Sequence, residues 1–316
     1  MIVVCGEALV DLAVSRFDGI EAYVPKLGGG PYNIAIGLGR LEVPVAYLGR
    51  ISRDFFGDQL RARLLTSGVR ADYLREGPEL TTLAIVHHEP DREPEYSFYA
   101  NGTADRELRP ADVPDGFPSE VSVIHFGSLS LVLEPAASTL EALMAREHGR
   151  HLISLDPNVR PTVIGDRDAY LMRLEGWLPS VDLVKVSRAD LAWLYPGEPL
   201  EEVARRWLGF GPALVVVTRG PDGSTAFAAE GSREVGGLQV EVVDTVGAGD
   251  AFMSGLLARL HELGLLHRGR LESLPDELAD VLRYATLVSA LTVTRAGAEP
   301  PTKAEVAARS SGLTDR

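Results

Sequence analysis

The sequence predicts an α/β protein in three layers, with a largely parallel central sheet covered by helices on both faces and a small separate β-sheet. Three observations carry that expectation. Between residues 121 and 218 short apolar runs alternate with amphipathic stretches, and strands that alternate with helices build parallel sheets buried on both sides. Residues 12–27 mix apolar and polar side chains at short spacing, which suits an extended ribbon better than a helix. Residues 242–260 pass from a β-branched run (Val240, Val242, Val243) through Gly247-Ala248-Gly249 into Met253, Leu256, Leu257 and Leu260. Those last four recur at helical spacing, so the stretch reads as strand, tight turn and helix.

Taken in order, residues 2–5 form a buried strand, and a helix runs from the triple glycine at 28–30 through Leu41. A strand at 45–48 follows, then a helix capped by Asp54 and stopped at Gly68 with Leu60, Leu64 and Leu65 inward. Runs at 81–88 and 96–99, split by a charged turn, add to the 13–27 ribbon as a small sheet. The adjacent His87 and His88 would point to opposite faces of such a strand, which suits surface positions better than one metal site. Strands are then expected at 121–126, 152–155, 183–186 and 213–218, and helices at 135–147, 167–177, 200–207 and 278–293. The predicted main unit comprises residues 1–12, 28–80 and 108–316, and the small unit residues 13–27 and 81–107.

Bulk properties narrow the function. The net charge of −14 argues against a general nucleic-acid or anionic-membrane surface, since either needs basic patches. No apolar run approaches the roughly 18 residues of a spanning helix. The one cysteine, Cys5, lies in the first apolar run and reads as a core thiol. With no basic leader ahead of that run, a cytoplasmic location is expected.

The chemistry concentrates at Gly247-Ala248-Gly249-Asp250. A helix start leaves amide N–H groups unpaired at the positive end of the dipole and attracts an anion. An ionised carboxylate beside a bound anion is repelled unless it is there to take a proton from an incoming hydroxyl, which suggests phosphoryl transfer to an alcohol. Taken alone, the Gly-Ala-Gly-Asp tetrapeptide favours the plainer reading, in which Asp250 only complements the dipole. Upstream, three consecutive glycines at 28–30 cost chain entropy that a mere connector seldom needs, whereas backbone lying against a ligand does. Asn33 there offers a donor and an acceptor, as a polyol requires. Asp11, just past the first strand, sits where open α/β sheets collect ligands, although a solvated carboxylate fits the position too. There is no Gly-x4-Gly-Lys-Ser/Thr and no Gly-x-Gly-x-x-Gly after the first strand, so neither a P-loop enzyme nor a Rossmann dehydrogenase is indicated.

The longer frame Asp-Thr-Val-Gly-Ala-Gly-Asp-Ala-Phe-x-Ser-Gly, starting at Asp244, resembles the C-terminal signature of the PfkB, or ribokinase-like, carbohydrate kinases. The block from Gly28 resembles their N-terminal signature, with Asn33, Ala35, Gly49 and Gly57 in register. The likeness spans nearly the whole chain. It implies the ribokinase-like fold, with the small sheet as a lid over the sugar and often a homodimer contact. It implies an ATP-dependent kinase with Mg²⁺, in which Asp250 is the base and the amides of Gly247, Ala248 and Gly249 form the anion hole. Substrate contacts would come from Asp11, Gly29, Gly30, Asn33, Phe98, Asn158 and Arg160. ATP contacts would come from Lys185, Ser187, Thr218, Gly220, Gly223, Gly249 and Thr286, although Thr218 to Gly223 also read as a plain hairpin turn.

Ser187 and Asp190 stand where relatives carry Asn-x-x-Glu, so the Mg²⁺ network, to which Asp190 would belong, has a shorter carboxylate. Asp244, Val246, Thr292, Arg295 and Gly297 would surround a monovalent cation such as K⁺. Glu42 replaces a usual glycine after the helix, and a different helix end is expected there. Residues 98–105 and 156–161 look most like bacterial fructokinases, which makes fructose the expected acceptor. The alternatives are 2-keto-3-deoxygluconate, then ribose or a nucleoside, and, outside catalysis, a silent sugar-binding relative.

Overall fold

The computed structural model describes residues 1–17, 20–87, 95–272 and 277–311. The strands are β1 (Ile2–Cys5), β2 (Leu9–Phe17), β3 (Ile20–Gly28), β4 (Val45–Ser52), β5 (Arg70–Gly77), β6 (Leu83–His87) and β7 (Glu95–Tyr99). They continue with β8 (Val123–Gly127), β9 (Leu152–Asp156), β10 (Leu183–Ser187), β11 (Leu214–Thr218), β12 (Ser224–Ala228) and β13 (Gly231–Val235). The longer helices are α1 (Gly30–Arg40), α2 (Phe55–Thr66), α3 (Ala136–Glu147), α4 (Arg167–Trp177), α5 (Arg188–Leu194) and α6 (Leu200–Phe210). After β13 come α7 (Ala248–Glu262), α8 (Arg268–Glu272), α9 (Leu278–Val293) and α10 (Lys303–Ser311).

Among the described residues the main sheet has nine strands in the order β13-β12-β11-β10-β9-β8-β1-β4-β5. It is parallel from β11 to β5, and β12 and β13 close one edge as an antiparallel pair. Alternate residues of each strand feed opposite faces. Val4, Val45, Val123, Leu183 and Val216 join a core with α1, α2, α7 and α9. Val3, Ala46, Ile124, Val184 and Val217 join a second core with α3, α4, α5 and α6. These are the predicted three layers, held by the buried strands β1, β4, β8, β9, β10 and β11, while the edge strands β5 and β13 stay partly exposed. Cys5 is wholly buried in the second core, and burial pushes its thiol far up, as befits packing and not reactivity.

A second sheet, ordered β3-β2-β6-β7, is antiparallel except where β2 runs parallel to β6. Its pairing begins at Leu9 opposite Gly28, so the ribbon is longer at both ends than residues 13–27 suggested. Leu9, Ala84 and Leu129, with Phe98 partly buried beside them, tie this sheet to the turn that follows β8. The expectation for His88 lies outside the described residues, as does that for the side chain of His87.

Three local readings are corrected. Leu60 and Leu64 of α2 are buried as expected, but Leu65 is 44% exposed, one position off the inner face of the helix. Residues 240–243 form no strand: β13 already ends the sheet at Val235, and the amides of Val243 and Asp244 bond the Val293 carbonyl at the end of α9. Val242 and Val243 stay 58% and 60% exposed, so their β-branching reports an extended loop. At Glu42 the helix end expected to differ is instead the one glycine would make. Glu42 has φ 61°. The Val43 amide bonds the Leu38 carbonyl at 3.0 Å and the Glu42 amide that of Gly39 at 2.9 Å. That is the Schellman pattern with a strained glutamate in the left-handed position.

Candidate active site

The carboxyl ends of β1, β9, β10 and β11 meet the amino ends of α1 and α7, at the edge where open α/β sheets collect ligands. The turn into α7 is made by Gly247, at φ 76°, where a Cβ would also lie 2.6 Å from the Ala298 side chain. Only glycine meets both demands. No side chain caps α7, which leaves its first turn for a ligand. Of the three amides expected to hold an anion, that of Ala248 donates to the Thr245 carbonyl at 3.2 Å, so it is partly engaged by the turn itself.

Asp250 is 7% exposed and turned inward. Its Oδ2 accepts from Asn33 Nδ2 at 2.9 Å and its Oδ1 from Asn158 Nδ2 at 3.3 Å. Asp250 is therefore not a solvated carboxylate, although it also lies in the first turn of α7, where it complements the dipole. Burial raises the carboxyl above the ordinary aspartate range, while the Asn33 hydrogen bond and the charges of Lys185 and Arg160 pull it back. Among the described residues the buried Asn33 Oδ1 has no hydrogen-bond partner, an uncommon state for a buried acceptor.

Around Asn33 the three glycines have separate reasons. A Cβ would lie 2.5 Å from Asp11 Oδ2 at Gly28, 2.7 Å from the Glu7 carbonyl at Gly29, and 2.9 Å from Asn158 Nδ2 at Gly30. Asp11 is pushed up to about 7, first by burial, with Arg160 lowering it and Asp250 raising it, so the three share one field. Arg160 Nη1 donates to the carbonyls of Asn158 and Val159 at 3.2 and 3.1 Å. Asn158 itself has φ 42°, a left-handed conformation that asparagine tolerates. Of the predicted sugar contacts the structure gathers Asp11, Gly29, Gly30, Asn33, Asn158, Arg160 and Asp250, while Phe98 sits in β7 against the Leu9 cluster.

On the other side, Lys185 Nζ bonds Asp156 Oδ2 at 2.8 Å, both groups deeply buried. A Cβ on Gly249 would come within 3.0 Å of that ammonium, so Lys185 lies directly under the turn. Burial works against its charge, but Asp156 and then Asp190 and Asp250 outweigh this and hold it protonated. Burial pushes Asp156 up to about 6 despite Lys185.

Ser187 and Asp190 form a capping box on α5, and Asp190 Oδ1 also accepts from the Val159 amide at 3.0 Å. The shorter carboxylate therefore braces the loop that carries Asn158. Thr218 pairs in register with Ser187, and Gly220 and Gly223 make the hairpin from β11 to β12. Thr286 lies within α9 with its hydroxyl on the Leu282 carbonyl. Asp244 joins two loops by accepting from Val246 N at 3.0 Å and Gly297 N at 2.8 Å. The Thr292 carbonyl takes the Arg295 amide, and the Arg295 side chain pairs with Glu305.

Sequence reasoning missed Glu7 and a buried polar row on one face of the main sheet. Glu7 accepts from the amides of Gly30 and Ser130, each at 3.1 Å. In the row, His125 faces Ser154 at 3.1 Å in register, next to the Asp156–Lys185 pair. Burial, and then Lys185, hold the imidazole down at about 3, hence neutral. The visible signals were a carboxylate two residues past a strand and polar residues at alternate positions inside apolar strands.

Residues 1–305 match the family model for "pfkB family carbohydrate kinase". A fructokinase of Rhizobium leguminosarum bv. trifolii is 37% identical over 278 residues, covering 88% of this chain and 85% of its own. The crystal structure of a fructokinase with bound ATP from Xylella fastidiosa superposes with a TM-score of 0.89 at 28% identity, covering 99% of this chain and 98% of that one. A Vibrio cholerae O395 fructokinase in its fructose, ADP and calcium ion bound form gives 0.83 at 28% identity, with 97% of each chain covered. Among the described residues no helix is long and apolar enough to cross a membrane, and no group of three or more His, Cys, Asp or Glu could hold a metal.

Proposed function

Since the chain belongs to the pfkB family of carbohydrate kinases, we propose that it phosphorylates a primary hydroxyl of fructose with ATP by in-line transfer. The observation that carries this reading is the buried Asp250 carboxylate, bonded to Asn33 within one turn of the uncapped α7 start. Asn33, Asn158 and Asp11 hold the sugar, and the unpartnered Asn33 Oδ1 takes one of its hydroxyls. Asp250 accepts the proton of the attacking hydroxyl. The α7 amides and Lys185 face the charge of the transferring group, a role suited to fixed dipoles in a site shielded from water. Fructose, as acceptor, rests on the similarity to fructokinases.

Mg²⁺ bound with the nucleotide supplies charge neutralisation. The donor set fits an ion held mainly by phosphates, since Asp190 and Asp156 are carboxylates at that edge whose oxygens already accept protein hydrogen bonds. Thr218, Gly220, Gly223 and Thr286 border the nucleotide, and the loops joined by Asp244 hold a monovalent cation, K⁺ by its abundance. The small sheet serves as the lid and, through the exposed Val14, Ile20, Tyr23 and Tyr99, as the contact of a homodimer in the cytoplasm.

The test is ADP release with fructose, 2-keto-3-deoxygluconate, ribose, adenosine and no acceptor, repeated on Asp250→Asn. Fructose gives the highest kcat/KM, and the substitution lowers kcat by about 10²–10⁴-fold with sugar binding retained. ADP release independent of any acceptor, or near-normal turnover of the variant, refutes the reading.

A further inference from the structure

Glu7 belongs to no step of that reaction, yet its carboxylate joins two separate segments beneath the site. It follows β1, and its two oxygens reach different segments: Oε1 accepts from Gly30 N, the first amide of α1, and Oε2 from Ser130 N in the 3-10 turn Ser128–Leu131. Neither of these helix starts has a side-chain cap of its own. One buried carboxylate thus caps two helix starts at once, and each contributes partial positive charge that stabilises it.

The two segments have different duties. The α1 start carries the glycine turn and Asn33. The 3-10 turn packs Leu129 against Leu9 of β2 and Ala84 of β6, at the root of the small sheet. The carbonyl of Gly6, next to Glu7, is held by the Tyr47 hydroxyl at 2.7 Å, so the carboxylate is presented from a fixed backbone. Its neighbours include the Ser128 hydroxyl and the buried carboxyl of Asp105, which itself rests on Thr82.

We propose that Glu7 is a positioning residue that sets the spacing between the sugar-binding glycine turn and the root of the small sheet, and thereby the affinity for the sugar. The inference rests on the sugar-kinase reading, so turnover of fructose by the unsubstituted protein is measured first. A failure of that reading shows in that turnover, and a failure of this one only in the comparison with Glu7→Gln and in amide exchange. Glu7→Gln keeps the size of the side chain but turns an NH2 group toward one of the two amides. At pH 8, where Glu7 is ionised, it raises KM for fructose about tenfold, the loss expected for one hydrogen bond to a charged group. KM for ATP, and kcat at saturating fructose, stay within about twofold. A second measurement needs no variant. In amide hydrogen exchange of the unsubstituted protein, Gly30 and Ser130 are slowed together by fructose and not by ATP. Unchanged KM for fructose in a folded Glu7→Gln protein, or equal losses toward fructose and ATP, overturns the proposal, as does exchange at Gly30 and Ser130 that fructose leaves untouched.

Discussion

On the proposed sugar side of the site hydrogen-bonded side chains form the surface, whereas on the proposed nucleotide side the paired Lys185, Asp156, Ser187 and Asp190 lie beneath a turn that offers mostly backbone. Asn33, Asp250 and Asn158 form one hydrogen-bonded set, and Glu7 fixes the turn beneath it. Across the site α7 begins without a cap, Gly220 has open space where a Cβ would be, and Val242 and Val243 project outward. A neutral polyol is recognised by donors and acceptors at fixed positions, which must be built in advance. A triphosphate is recognised by charge, which helix ends and one lysine supply without a lattice of side chains. That is also how a chain of net charge −14 can hold an anion.

The sharpest break of this contrast is Lys185→Met. If the two sides are independent in this way, the substitution lowers kcat by at least about 10²-fold, the scale of losing one preorganised charge partner of the transition state. The dissociation constant of fructose, measured by calorimetry, changes by less than about threefold. Removing one member of a buried ion pair also costs stability, about 3–5 kcal/mol. Lys185→Met combined with Asp156→Asn removes the orphaned charge and restores most of the melting temperature without restoring kcat. A fructose constant that weakens in step with kcat would merge the two sides into one.

The sequence made one side of this site more legible than the other. The glycine turns and Asp250 stand in short contiguous patterns, and the strands of the main sheet declare themselves through unbroken apolar runs. The tertiary pairings are not in the local patterns: the family resemblance put Asn33, Asn158 and Asp250 around one sugar, while the Lys185–Asp156 and Glu7–Ser130 pairings escaped. Asn33 and Asp250 are 217 residues apart, Lys185 and Asp156 are 29 apart, and Glu7 reaches Ser130 across 123. None of these partners is implied by the local pattern around the other. The reading of 240–243 as a strand failed for the complementary reason: β-branching reports extended backbone, and whether a neighbour exists to pair with is settled elsewhere in the chain.

The carboxylates beneath both sides of the site make the fold pH-sensitive. Burial pushes Glu7 and Asp11 up to about 7 and Asp156 up to about 6, from ordinary values of 4.5, 3.8 and 3.8. Their ionised forms therefore destabilise the fold above those values. As pH falls through about 7 the folded chain takes up protons before the unfolded chain does, and stability rises until the unfolded carboxyls also protonate near pH 4. Carboxylates held low, such as Glu305 at about 2, act in the opposite sense only below their ordinary value of 4.5. His125, held at about 3 from an ordinary 6.5, acts against them below pH 6.5, but one imidazole is outweighed by three carboxylates, so the melting temperature is higher at about pH 5.5 than at about pH 8. Burial raises Asp250 above the ordinary aspartate range, so turnover is lost on acidification sooner than an ordinary aspartate base would lose it. A melting temperature that declines steadily from pH 8 to pH 5.5 contradicts the burial of these charges.

The smallest effect separates strain that serves the site from strain that does not. Asn158 and Glu42 both hold positive φ, at 42° and 61°. Asn158 uses that conformation to place its amide against Asp250. The Glu42 side chain pairs with Lys303 at 3.5 Å on the surface and lies past the end of α1, roughly 13 Å from Asn33 at 1.5 Å per helical residue. A non-glycine residue there costs about 1–2 kcal/mol, and glycine returns part of that gain through the entropy of the unfolded chain. Glu42→Gly therefore raises stability by about 0.5–1 kcal/mol, read as a higher denaturant midpoint with unchanged slope. KM for fructose does not move, because the Asn33 end of α1 is already fixed by Glu7. Tighter sugar binding in Glu42→Gly would mean that α1 is not rigid along its length, and the sugar side would then be less preassembled than its hydrogen bonds imply.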